Sequence, residues 1–259
     1  MERFTGKVAV VTGSSYGIGR VIVKELVKRG LIVAGLARNV EHQQKLATEI
    51  LTNPETYTGK FHPIKCDLMQ ETEIREAFNN IKTDIGSIAI LINNAAYMGP
   101  YQTLLEQNND TYQKIFDTNV KGSWLCMKEA LQSMTDLPIV GHIININSIV
   151  SLHDFKAEFF PLYTASKDAL RTISRVLRRE ILQNKQNIKV TDISPGATDT
   201  PMADNIKPSF TMLEEDLLQA EDVAKACISV LDTAPDVMVI IFINHYNMYE
   251  QNVEEKDEI

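Results

Sequence analysis

The chain has 259 residues, with 26 Lys and Arg against 34 Asp and Glu for a formal charge of −8, and 44% of its residues are apolar. That apolar share is ordinary for a globular chain and excludes disorder and fibrous repeats, while the acidic balance argues against nucleic acid as a partner, because phosphate binding needs surplus Lys and Arg. The longest apolar run, 238–243, falls far short of the roughly 20 residues that span a bilayer, so no membrane span is expected.

Short β-branched runs are predicted as strands at 7–11, 31–37, 61–66, 88–92, 139–146, 188–193 and 237–243. Helical spacing separates them: Ile18, Val21, Ile22 and Leu26 recur on one face, as do Ile173, Val176, Leu177 and Ile181. Near-continuous apolar strands alternating with helices imply a parallel sheet covered on both faces. The predicted fold is therefore α/β: one doubly wound Rossmann domain over 1–259, seven parallel strands with helices on both faces, and an acidic tail at 250–259. Cys66, Cys126 and Cys227 stand far apart and the five histidines are scattered, so the cysteines read as buried small hydrophobes and no metal site is expected. The opening Met-Glu-Arg-Phe-Thr-Gly-Lys is too polar for a signal-peptide core, which makes a cytoplasmic location the expectation. The Asn109-Asp110-Thr111 acceptor pattern and the final Lys256-Asp257-Glu258-Ile259, one residue from an ER-retention tail, matter only in a secretory compartment.

The first strand runs into Thr12-Gly13-Ser14-Ser15-Tyr16-Gly17-Ile18-Gly19 and directly into a helix. Glycines there let the backbone turn tightly and approach a pyrophosphate, whose charge sits on the helix N-terminus. The spacing is G-x-x-x-G-x-G rather than G-x-G-x-x-G. The second strand ends in Ala37-Arg38-Asn39 with no carboxylate at its tip. An arginine there can meet the 2′-phosphate of NADP(H), where NAD(H) would call for an acidic residue, although a solvated strand-end arginine looks the same in sequence. Asp67, after the third strand, is placed either to contact adenine or to cap the next helix.

Tyr163 and Lys167 lie four apart in Tyr163-Thr164-Ala165-Ser166-Lys167 and share a helix face, either as a surface pair or as chemistry. Two unit charges about 4 Å apart interact by roughly 4 kcal/mol at an effective dielectric of about 20, enough to draw a phenol from about 10 towards about 7. A general acid/base for alcohol–carbonyl interconversion titrates there. Ser148, at a strand end, is either a hydrogen-bond donor to the reacting oxygen or a turn cap.

Together these blocks, with Asn93-Asn94-Ala95, Asn119-Val120-x-Gly122 and Pro195-Gly196, resemble the short-chain dehydrogenase/reductase family in order along residues 7–200. General likeness, including Gly141-His142-Ile143-Ile144-Asn145-Ile146-Asn147-Ser148, is greatest to the insect farnesol dehydrogenase-like branch and its steroid-carbonyl-reducing relatives. The resemblance implies an oxidoreductase using NADP(H). Tyr163 would be its general acid/base, Lys167 would lower the phenol pKa and hold the nicotinamide ribose, Ser148 would orient the substrate oxygen, and Asn119 would anchor a water in the proton relay. Cofactor contacts are implied for Gly13, Ser15, Tyr16, Gly17, Ile18, Gly19, Arg38, Asp67 and Leu68, and for Asn93, Asn94 and Ala95 along its length. Pro195, Gly196, Thr198 and Thr200 would cradle the carboxamide. Ala96 and Ala89 replace the usual glycine and aspartate, and Thr198 a usual aliphatic.

In this family the loop before Tyr163 and a lid after Pro195-Gly196, here 197–220, set substrate choice. Phe155, Phe159, Phe160, Tyr97, Met98, Met202, Ile206, Phe210, Met212 and Leu213 would line an apolar pocket for a terpenoid, retinoid or steroid-like alcohol or carbonyl. Helices around 111–134 and 162–182 imply a homodimer or homotetramer. The alternative is a non-catalytic NADP(H)-binding regulatory protein on the same fold, whose signature would be a lost tyrosine or lysine.

Overall fold

The structure is a computed structural model that describes residues 1–135, 137–152, 160–205, 217–234, 237 and 241–243. Strands β1 (Val8–Thr12), β2 (Ile32–Ala37), β3 (Lys60–Lys65), β4 (Ile88–Asn93), β5 (Gly141–Ile146), β6 (Ile188–Pro195) and β7 (Ile241–Ile243) form one seven-stranded sheet in the order β3-β2-β1-β4-β5-β6-β7. Every neighbouring pair is parallel. The chain starts in the middle, winds outward to β3, returns to β4 and winds outward again. The reversal between β1 and β4 is the switch point at which such sheets open a crevice at their C-terminal ends.

The helices are α1 (Gly17–Lys28), α2 (Val40–Leu51), α3 (Glu71–Asn80), α4 (Asn109–Phe116), α5 (Ser123–Met134), α6 (Pro161–Gln183) and α7 (Ala220–Asp232). Successive strand residues point to opposite faces, so each strand feeds two cores. Ala9, Val11, Ile144 and Ile146 join Ile22, Leu26, Val223 and Cys227 of α1 and α7 on one face. Val8, Val10, Leu91 and Ile143 join Phe78, Cys126, Ala130 and Leu170 of α3, α5 and α6 on the other. Burial pushes the Cys66 and Cys227 thiols up to about 12 and Cys126 well above its usual range, so all three sit as small packed hydrophobes.

Most strand boundaries fall within a residue of the sequence expectation. The fifth begins at Gly141 rather than 139. The third contains Pro63, which has no N–H to donate; β3 tolerates it because it is an edge strand paired only with β2. Of the stretch expected as the seventh strand, 238–240 lie outside the described residues, as do the acidic tail 250–259 and the middle of the lid, 206–216. Among the described residues no helix is long and apolar enough to cross a membrane.

Candidate active site

A cavity of about 600 Å³ opens along the C-terminal ends of the strands, from the Gly-rich turn to the start of α6. At its first end the turn is built around Thr12, which the motif reading passes over. Its hydroxyl accepts hydrogen bonds from the backbone N–H groups of Asn94 and Ala95, each at 3.0 Å. Asn94 returns the contact by donating its side-chain amide to the carbonyls of Thr12 and Gly13. The two turns are thus locked together, and only glycine fits between them. A Cβ on Gly13, which has φ +68°, would lie 2.8 Å from Ala95 Cα, and one on Gly19 would lie 2.3 Å from the Gly13 carbonyl oxygen. Gly19 therefore serves the packing of the turn and does not line the cavity, whereas Gly13, Ser15, Tyr16, Gly17 and Ile18 do. Behind the turn, fully buried Gln43 accepts from the Ser14 hydroxyl at 2.9 Å and donates to the Ile64 carbonyl, tying the turn to α2 and β3.

Arg38 lines the same end, is exposed, and engages no hydrogen-bond or ion-pair partner among the described residues. Beside it, Asn39 caps α2 by accepting from His42 N–H and also donates to the Tyr16 hydroxyl, which in turn bonds His42 Nδ1 at 3.0 Å. Asp67 and Leu68 form the adjoining wall. Asp67 Oδ1 accepts from Met69 N–H and closes the turn before α3, but the N-cap of that helix is Gln70. Turn closure and a place on the cavity wall coexist in this one side chain.

At the other end the cavity is walled by Ser148, Tyr163, Lys167, Pro195, Gly196, Thr198 and Thr200. The Lys167 ammonium, 2% exposed, donates to the Ile146 carbonyl at 2.9 Å and lies 5.6 Å from the centre of the Tyr163 ring. Burial pulls Lys167 down to about 8. Burial also pushes the Tyr163 phenol up to about 12, against a hydrogen bond with the Ser148 side chain that favours the phenolate. The charge pair expected from the four-residue spacing would depress the phenol, but the cost of taking the group out of water outweighs it. Ser148 also accepts from Val150 N–H and caps the short 3₁₀ turn Ile149–Ser151, so it is at once a cap and a cavity residue.

Two implied residues lie elsewhere. Asn119 does not line the cavity. It sits in the π-helical turn Asp117–Gly122, its amide accepting from Tyr97 N–H at 2.7 Å and donating to the Tyr97 carbonyl and the Ser166 hydroxyl, each at 2.9 Å. With both side-chain N–H groups committed, a relay water would be held by its backbone or by the second lone pair of Oδ1. Asn93 points away from the cavity towards α5, donating to the Ser123 carbonyl and to Asn145.

The substrate-side wall is apolar: Met98, Phe160 and Tyr163 cluster, with Ala96, Tyr101, Val150 and Met202 packed against them. Tyr101 meets Phe160 edge to face with ring centres 5.3 Å apart. Phe155, Phe159, Ile206, Phe210, Met212 and Leu213 lie outside the described residues. Thr12, Asn39, Gln43 and Asn147 are the functional neighbours that sequence reasoning missed. Thr12 and Gln43 carry no signal along the chain, since their partners are Asn94–Ala95 and Ile64.

Comparison with known proteins agrees with this geometry. Residues 7–210 match the family model described as short chain dehydrogenase. The chain is 38% identical over 239 residues to the farnesol dehydrogenase of Aedes aegypti, covering 92% of this chain and 95% of that one. It is 39% identical over 246 residues to the dehydrogenase/reductase SDR family member 11 of Gallus gallus, with the same coverage. Among solved structures it is similar to an alcohol dehydrogenase from the archaeon Thermococcus sibiricus complexed with 5-hydroxy-NADP, at TM-score 0.80 and 25% identity over 93% of this chain and 97% of that one. The chain belongs to the short-chain dehydrogenase/reductase family of oxidoreductases, in its farnesol dehydrogenase-like branch.

Proposed function

We propose that the protein interconverts an apolar alcohol, of terpenoid, retinoid or steroid-like character, and its carbonyl with NADP(H). The carrying observation is one cavity that joins a Gly-rich turn and exposed Arg38 at one end to Ser148, Tyr163, Lys167 and an apolar wall at the other. The glycine positions that a Cβ would fill, and a guanidinium with no partner among the described residues, suit a phosphorylated dinucleotide. That cofactor would supply the hydride.

The chain's own residues handle the proton. A phenol pushed up to about 12 is protonated at neutral pH, so Tyr163 is ready to donate to a carbonyl oxygen in the reducing direction. Ser148 would orient that oxygen. Lys167, near 8, is largely charged at pH 7; it favours the phenolate once the proton has left and would hold the nicotinamide ribose. Asn119 holds the Tyr97 backbone on the substrate side and abuts the helix of Tyr163 through Ser166. Pro195, Gly196, Thr198 and Thr200 would cradle the carboxamide, with the segment after them as the substrate lid. The whole chain would act as one dinucleotide-binding and catalytic domain. We extend the reading to a cytoplasmic homodimer or homotetramer, for which about half-exposed Tyr112, Trp124 and Val176 on α4, α5 and α6 provide apolar surface.

The test is initial rates with NADPH and NADH across alcohols and carbonyls graded by size and polarity. The highest kcat/KM is expected for apolar substrates with NADPH; highest rates with small polar carbonyls overturn the substrate reading. Tyr163→Phe should lower kcat by roughly 10²–10⁴-fold with nucleotide affinity retained. Activity surviving that change sinks the mechanism.

A further inference from the structure

The helix that carries Tyr163 and Lys167 is seated on a polar rung of the sheet. In register across three strands, Leu91, Ile143 and Val190 form an apolar rung. Two residues on, Asn93, Asn145 and Asp192 stand abreast on the same face. Asn93 donates to Asn145 at 2.9 Å, and Asn145 donates to the Ser174 hydroxyl of α6 at 2.8 Å. Asp192, 3% exposed, accepts both terminal nitrogens of Arg178 on one carboxylate oxygen at 3.1 Å, and Ser174 and Asn145 also act on its carboxylate through side-chain hydrogen bonding. Ser174 and Arg178 continue the same inward stripe of α6 that begins with Tyr163, Lys167 and Leu170, at helical steps of three and four.

Stability alone gives a weak reason for this arrangement. A buried ion pair is commonly no better for stability than apolar residues of the same size. What it adds is direction. Apolar packing of α6 on the sheet tolerates small slides and rotations, whereas hydrogen bonds and an ion pair have one geometry. Ser174 lies seven residues past Lys167, about 10.5 Å along the helix axis, so a slide at the rung is delivered undiminished to the catalytic end.

Resting on the oxidoreductase reading above, we propose that Asp192 and Arg178, coupled to the Asn93–Asn145–Ser174 chain, are positioning residues that set the register of α6 and hence place Tyr163 and Lys167 against the substrate. Misplacement of a reacting group by about 1 Å can cost on the order of 10²-fold in rate.

The experiment compares wild type with the double variant Arg178→Met/Asp192→Leu, which removes both charges together and leaves no lone buried ion. NADPH-loaded enzyme is mixed with farnesal, or with the fastest carbonyl of the panel. The single-turnover hydride-transfer rate is then normalised to the NADPH-binding, folded fraction. A fall of about tenfold is expected, with the NADPH Kd within twofold of wild type. A fall of less than threefold, or a loss of rate that only tracks the folded fraction, overturns the proposal. If the double variant does not fold, Ser174→Ala, which deletes only the hydroxyl that receives Asn145, is judged by the same threefold line. A wild-type enzyme inactive on every alcohol and carbonyl overturns the underlying reading as well, so the two failures are separable.

Discussion

Replacing Lys167 with methionine should make the protein more stable while removing its activity. The ammonium is 2% exposed, and its one hydrogen bond goes to a neutral carbonyl, that of Ile146. Burial lowers its pKa from 10.5 to about 8. A folded-state pKa below the unfolded value means that the unfolded chain binds the proton more tightly. The resulting destabilisation is full below about pH 8 and vanishes above about pH 10.5. The shift corresponds to an upper bound of about 3 kcal/mol at neutral pH. Methionine keeps most of the buried stem but abandons the Ile146 carbonyl, which costs about 1 kcal/mol. The net gain is then about 2 kcal/mol, a rise in Tm of roughly 4–8 °C for a chain of this size. Thermal unfolding of both proteins at pH 7 and pH 10.5 measures it: the gain should be present at the lower pH and absent or reversed at the higher. An unchanged or lower Tm at pH 7 would show that the ammonium is compensated in the fold, contrary to the electrostatics derived above.

Arg38→Asp should weaken NADPH binding by at least tenfold while leaving NADH binding nearly unchanged in fluorescence titrations; equal losses would mean that Arg38 does not read the 2′-phosphate. Gly19→Ala, whose Cβ would press on the Gly13 carbonyl, should lower both stability and affinity for either nucleotide, and wild-type Tm and Kd together would contradict the packing described. Gln43→Leu leaves the buried Ser14 hydroxyl without its acceptor and removes the bond to the Ile64 carbonyl, a loss of about 1–3 kcal/mol read from urea unfolding. Because Gln43 supports the turn rather than the 2′-phosphate, its effect on NADPH and NADH should be equal.

The strands and the first and sixth helices are legible in the sequence because burial on two faces imposes continuous apolar runs and a helical stripe that survive in one dimension. The motif residues are legible for a related reason: Gly13, Gly17 and Gly19 crowd one turn, and Tyr163 and Lys167 occupy one helix face, so short spacings encode their proximity. What escapes is set by register between strands distant in the chain. Thr12 meets Asn94 and Ala95, and Asn93, Asn145 and Asp192 align only once β4, β5 and β6 pair. Asn119 is legible only in part. Its motif places it near the site, but the side chain is consumed by Tyr97 and Ser166. The Tyr163 phenol is misjudged because burial has no signature in a four-residue spacing.

The π-helical turn between α4 and α5 has a consequence for chain length. Ile115, Asn119 and Ser123 all face inward at intervals of four, a spacing that a straight α-helix would let drift by about 40° at each step. The wider turn Asp117–Gly122 absorbs that drift, so Ile115, Asn119 and Ser123 stay buried along one line of the rod from 109 to 134. Closing that turn to ordinary α geometry would remove one residue and leave the flanking helices nearly in phase, whereas losing a residue from either flanking helix would swing one side by about 100° relative to the other and lift Ile115 or Cys126 out of its packing. The turn is thus the one stretch of this rod with a residue of slack, and what it contributes is a count of residues rather than any one side chain.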